Sequence, residues 1–122
     1  MSRKLSLKEN PELKETVEQL LKISRDNNSI FWRDIALRLM KPKKSYPRTN
    51  VGSIEAKASD GEVLVVPGYV LGTGYINRKV TVSALKASPK AIEKMKNGGS
   101  SFVALVDLAK DNPKGTNIRI LR

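Results

Sequence analysis

Cysteine and histidine are both absent from the 122-residue sequence. Without cysteine there is no disulfide framework, no thiolate zinc site and no thiol nucleophile. Without histidine the commonest general base and the commonest metal ligand are missing too. Long apolar runs are also lacking. Runs such as "VLVV" at 63–66 are far too short to span a bilayer. The opening "MSRKLSLKENPELK" has no apolar h-region of the kind a signal peptide needs, so a cytosolic location is expected. Acids are few. The twelve carboxylates are scattered, half of them directly beside a lysine or arginine. They form neither a paired acid/base nor a metal cluster, and no activated serine is visible. Only a magnesium site from a few carboxylates stays open on the enzyme side.

Cations are what the chain has in quantity. Lysine and arginine number 23 against twelve acids, a formal net charge of +11. The excess is not spread evenly. Residues 1–26 hold six cations and five acids, so 17 cations and seven acids remain for 27–122. The stretches 35–54 and 63–92 contain no acid at all. Such asymmetry points to a polyanionic partner, and nucleic acid fits best.

The length suggests one domain, residues 10–122, after a flexible basic leader at 1–9. Asn10 and Pro11 read as an N-cap and first helical position. Leu13, Val17, Leu20 and Leu21 follow as a helical stripe, with charges on the other face as solvated surface. "RDNNS" at 25–29 reads as a turn. A second helix is expected from Phe31 to Met40, with Trp32, Ile35, Ala36, Leu39 and Met40 as its apolar face. Trp32 is in phase with that stripe and reads as core, whereas Arg33 and Arg38 lie off it and can reach a ligand. Pro42 ends the helix.

Beyond it the chain reads as short strands and helices. "VGSIEAKA" at 51–58 is strand-like, Asp60–Gly61 is a turn, and "EVLVVPGYVLGTG" at 62–74 is β-branched but broken at Pro67–Gly68. "KVTVSAL" at 79–85 alternates as a strand does. Ser88–Pro89 starts a helix that Gly98 and Gly99 stop. "FVAL" at 102–105 is a strand or the lead into a short helix, and "NIRIL" at 117–121 is a closing strand.

Two segments carry the chemistry. "KPKKSYPRTNVG" at 41–52 has Lys41, Lys43, Lys44 and Arg48 with no acid. Its two prolines stiffen the display, so that binding loses less conformational entropy. Lysine-rich loops are often mere solvated surface, but this one continues a helix bearing Arg33 and Arg38, and phosphate binding is the favoured reading. "LGTGYIN" at 71–77 fails as a dinucleotide fingerprint. Asn77 stands where the third glycine belongs, and a strand rather than a helix follows. It reads instead as a tight glycine turn beside Arg78 and Lys79. Gly74, the glycine nearer those cations, is expected to admit backbone to a phosphate.

"FWRDIALRLMKPKKSYPRTNVGSIE", "VVPGYVLGTGYINRKVTVSAL" and "NPKGTNIRILR" together resemble large-subunit ribosomal protein eighteen of the archaeal and eukaryotic type, a family similar in its core to bacterial large-subunit protein fifteen. The likeness runs from about Asn10 to Arg122, and the length suits the compact archaeal form. It implies a non-catalytic, structural constituent of the large ribosomal subunit that binds large-subunit ribosomal RNA beside neighbouring ribosomal proteins. No cofactor, metal, membrane or small-molecule substrate is implied. It also implies an α/β fold in which two N-terminal helices precede an irregular superhelix of strand–strand–helix turns with short strands. The family's basic arm maps onto Lys41, Lys43, Lys44, Arg48, Asn50 and Gly52, and its glycine turn onto Gly72 and Gly74, flanked by Arg78 and Lys79. Lys86 joins the RNA-facing cations, and Asn50 and Tyr46 are the candidates to meet an unstacked base. The rival readings are a basic architectural DNA- or RNA-binding protein outside the ribosome and a small metal-dependent nuclease.

Overall fold

The computed structural model describes residues 11–121. The leader at 1–9 and the Asn10 cap lie outside them. Contacts divide the chain into two compact units. One comprises residues 11–46 with Val106–Thr116, and the other Pro47–Leu105 with residues 117–121.

The first unit is helical. Helix α1 (Pro11–Asn27) buries Leu13, Val17, Leu20 and Ser24, and packs on α2 (Ile30–Leu39), which buries Trp32, Ile35, Ala36 and Leu39. Leu21 is half-buried at the edge of its stripe. The turn expected at 25–29 begins later, because α1 continues through Asn27. The Asn27 side-chain amide donates to the Ile23 carbonyl at 2.9 Å, and Asn28 then takes a left-handed φ of 52°, which asparagine tolerates. Ser29 caps α2, its Oγ accepting from Trp32 N at 3.2 Å. Trp32 is core, as its phase suggests, with Nε1 donating to the Asn112 carbonyl at 2.8 Å. Leu20 is fully buried. Leu20→Ala should therefore destabilise the protein by about 2–5 kcal/mol, measured by denaturant unfolding, whereas substitutions at the exposed Glu12 and Glu15 should stay within about 0.5 kcal/mol.

The second unit is an all-parallel sheet with helical crossovers. Strand β1 (Arg48–Asn50) leads through α3 (Val51–Lys57) to β2 (Val63–Leu71), and β3 (Thr81–Ala87) leads through α4 (Pro89–Asn97) to β4 (Ser101–Ala104). The order is β1-β2-β3-β4, and β5 (Ile118–Ile120) pairs with the first half of β2. Between β4 and β5 runs α5 (Leu105–Asp111), so "FVAL" supplies both a strand and the first residue of a helix. From β2 to β3 no helix intervenes. The chain instead returns along 72–80, inserting Ile76 and Val80 into the core formed with Ile54, Leu64, Val82 and Met95. These are the strand–strand–helix turns of an irregular α/β superhelix opening into a sheet. No helix among the described residues is long and apolar enough to cross a membrane.

Two expectations are corrected here. Residues 51–57 form α3, not a strand. Val51, Ile54 and Ala58 are buried, an i, i+3, i+7 spacing that only a helix turns toward one side. The break at Pro67–Gly68 is likewise no break. Strand β2 runs through it, with the register against β3 shifting between Val66 and Tyr69. A bulge absorbs the missing proline N–H.

Candidate nucleic-acid interface

In the helical unit the basic run is built as a rigid turn. Met40 closes α2, and Lys43–Ser45 form one turn of 3₁₀ helix, with Ser45 N donating to the Pro42 carbonyl and Tyr46 N to that of Lys43. Tyr46 anchors it. Its ring is buried and its hydroxyl donates to the Leu39 carbonyl, so it serves packing and is not placed to stack on a base. Lys41, Lys43 and Lys44 are left exposed around this anchor. Arg33 is exposed too, while Arg38 is held against Asp34 at 3.2 Å and is only 24% accessible.

In the sheet unit, register gathers residues distant in sequence. Arg48 pairs with Tyr69, and Tyr69 with Lys86. Paired residues on neighbouring parallel strands share a face, so the three form a cation–aromatic–cation row. The Arg48 guanidinium lies 5.8 Å from the Tyr69 ring centroid. The neighbouring row, Thr49–Val70–Ala87, turns to the other face, with Thr49 and Val70 buried. Asn50, opposite the exposed Leu71, follows Arg48 on the open face. It sits at the N-cap position of α3 without its side chain bonding to the helix. Tyr69 and Lys86 lie toward the carboxyl ends of β2 and β3, where a parallel sheet leaves room for ligands, and register brings Arg48, the first residue of β1, alongside them.

The glycine turn is locked from behind. Lys94, on α4, donates from Nζ to the carbonyls of Gly72 and Gly74, each at 2.6 Å. Gly74 has φ +89°, and a Cβ there would lie 2.8 Å from Gly52 Cα. A close approach that demands glycine at 74 is thus made within the fold, to the backbone of Gly52. Gly74→Ala should accordingly lower stability, where the sequence-based expectation is a loss of binding with the melt barely moved. Gly52 N in turn donates to the Thr73 carbonyl at 3.1 Å.

Arg78 and Lys79 are positioned by acids. Glu55 Oε1 accepts from the backbone N–H of Asn77 at 2.7 Å and of Arg78 at 2.9 Å. Arg78 Nε donates to the Glu55 carbonyl at 3.1 Å, leaving its side chain 44% accessible. Lys79 N donates to Asp60 Oδ1 at 2.9 Å. The Asn77 N–H, then that of Arg78, holds the Glu55 carboxyl below its ordinary value of 4.5. With the folded-state pKa lowered, the unfolded chain takes up the proton first as pH falls. The stability difference between wild type and Glu55→Gln should therefore be full above about pH 4.5 and vanish as pH drops through the lowered folded value. Unfolding curves across that range test this, and a pH-independent difference would contradict it.

Tyr69, Lys94 and Glu55 escaped the sequence reading. Only the i, i+4 spacing of Lys90 and Lys94 on one helix face hinted at a shared target. A Cβ at Gly72 would lie 2.9 Å from that of Lys90, so both lysines do lie along the turn.

Within the sheet unit, the strand ends and the turn that follows them carry Arg48, Lys86, Arg78 and Lys79, which defines a small basic α/β protein. Residues 49–103, spanning nearly all of β1 to β4, match the model of a ribosomal-protein family whose description groups 50S-L15 and 50S-L18e with a 60S protein. Over 122 residues, all of both chains, the sequence is 50% identical to large ribosomal subunit protein eL18 of Picrophilus torridus. It is 49% identical to that of Thermoplasma acidophilum over 90% of this chain and 92% of the relative, and 45% identical to that of Thermoplasma volcanium over all of both. The chain belongs to the archaeal/eukaryotic-type eL18 family of large ribosomal subunit proteins. These are structural proteins, not enzymes.

Proposed function

We propose that this protein is a structural constituent of the large ribosomal subunit, in the cytoplasm, where it binds and stabilises large-subunit ribosomal RNA beside neighbouring ribosomal proteins. The observation that carries the reading is full-length identity of 50% to a large ribosomal subunit protein, in a chain of net charge +11. Lys41, Lys43, Lys44 and Arg48 make the main phosphate contacts, supported by Arg33, Lys86 and the half-tethered Arg78 and Lys79. The 3₁₀ turn presents the lysines already ordered, which lowers the entropy lost on binding. Asn50 offers its amide at the open face of the sheet. The glycine turn contributes as a scaffold, because Gly72, Gly74 and Gly52 fix the loop that carries Arg78. Recognition is of RNA shape and backbone, since the deep groove of an RNA helix admits side chains poorly.

Sedimentation of a cell extract through a high-salt gradient tests this. The protein should travel with the large subunit. Recovery at the top of the gradient, or on bulk duplex nucleic acid at low salt only, would favour an architectural protein outside the ribosome.

A further inference from the structure

Tyr75 is 76% exposed, yet it projects from one of the most constrained backbones in the sheet unit. Gly74 is wedged against Gly52, and Gly98 is packed against the Ile76 carbonyl on the other side. The Lys94 ammonium, already donating to two carbonyls of the turn, sits 4.5 Å from the Tyr75 ring centroid. One face of the ring is therefore backed by a fixed cation, and the exposure of the residue leaves the other face open to solvent. A cleft of about 170 Å³ adjoins it, lined by Tyr75, Ile76, Asn77, Lys94, Asn97 and Gly98.

From this geometry we propose that Tyr75 is a stacking platform for an unpaired nucleobase of the bound RNA, with the Asn77 and Asn97 amides available to the base edge. The proposal rests on the RNA-binding reading above and adds a base contact to it. A water-exposed aromatic ring whose backbone is already ordered loses little freedom on stacking, and every base presents a π-face to it. Amides at the rim have the donors and acceptors that a base edge requires. Arg78 and Lys79 follow in the same loop and can take the flanking phosphates. A protein partner fits less well. Ile76 is only 2% exposed, so apart from the ring the cleft offers amides, an ammonium and backbone, without the contiguous apolar patch of a docking surface.

The test compares a short oligoadenylate with an abasic chain of the same length, which has the same phosphates and no bases. Wild type should prefer the oligoadenylate. Tyr75→Ala should weaken oligoadenylate binding by roughly tenfold and abolish the preference, with the salt dependence unchanged because no cation is lost. Tyr75→Trp should retain the preference, and Tyr75→Leu, which keeps apolar bulk without a π-face, should behave as the alanine variant does. Circular dichroism melts should superimpose, since the ring is exposed. No preference in the wild type, or a preference that survives in Tyr75→Ala or Tyr75→Leu, would overturn the proposal. Titration of the same proteins with large-subunit ribosomal RNA separates the two readings. Salt-dependent binding there leaves the RNA-binding reading intact even if Tyr75 proves dispensable, whereas no binding by the wild type would end both.

Discussion

Replacing Lys41, Lys43, Lys44 and Arg48 together by alanine should weaken binding to large-subunit ribosomal RNA by about three hundredfold at 0.15 M salt. Each cation that neutralises a phosphate releases counterions and adds about 0.7–0.9 to the slope of log affinity against log salt, so removing all four flattens that slope by about three units. Measured from 1 M salt, where the release term vanishes, such a change amounts to between two and three decades. Stability should move little. The three lysines are exposed, and Arg48 loses only its approach to Tyr69, worth about 0.5–1 kcal/mol at an exposed site. The matched control removes Lys14 and Lys22 from α1, where glutamates balance the charge, and should leave the slope as it was. A filter-binding titration reads both. An unchanged slope in the fourfold variant would remove the basic run from its proposed role.

Gly98→Ala should be the most damaging single-methyl substitution in the sheet unit, costing about 3 kcal/mol or preventing folding. The residue closes α4 with an ordinary right-handed conformation, φ −86°, so backbone strain is not the reason. The methyl group itself is. It would lie 1.8 Å from the Ile76 carbonyl oxygen, where the returning segment 72–80 crosses the end of α4, and relief requires backbone to move. Gly61 is the informative contrast. It has φ +88° and nothing within 4 Å of a built Cβ, so alanine there meets only conformational strain of about 1–2 kcal/mol. Denaturant unfolding should separate the two variants clearly. If Gly98→Ala unfolds like wild type, the 72–80 segment does not lie against the helix end.

Much of the local structure was legible in the sequence. The stripes of α1 and α2, the Ser88–Pro89 start and Gly98 stop of α4, and the closing strand at 117–121 all follow from spacing and capping that act over a turn or two. The basic run was legible as well, because four cations without an acid need no fold to be noticed. Short elements were not. Seven residues from Val51 to Lys57 satisfy a strand pattern and a helix pattern almost equally, and the choice fell to the core that Val51, Ile54 and Ala58 enter. Pro67 and Gly68 signal a break locally, yet β2 passes through them because its neighbours on both sides hold it in the sheet.

The charge and the paired N-terminal helices were thus determined by the sequence alone, through composition and periodicity. What only the tertiary structure decided is which residues meet. Tyr46 reads as an available aromatic until its ring is seen buried over the end of α2, and Lys94 reads as one more surface lysine until its ammonium is found bridging two carbonyls of the glycine turn. Arg48, Tyr69 and Lys86 become a row only through parallel register. Register in a parallel sheet is set by crossovers and by burial of the opposite face. These are interactions between segments far apart in the chain, and no window of neighbouring residues contains them.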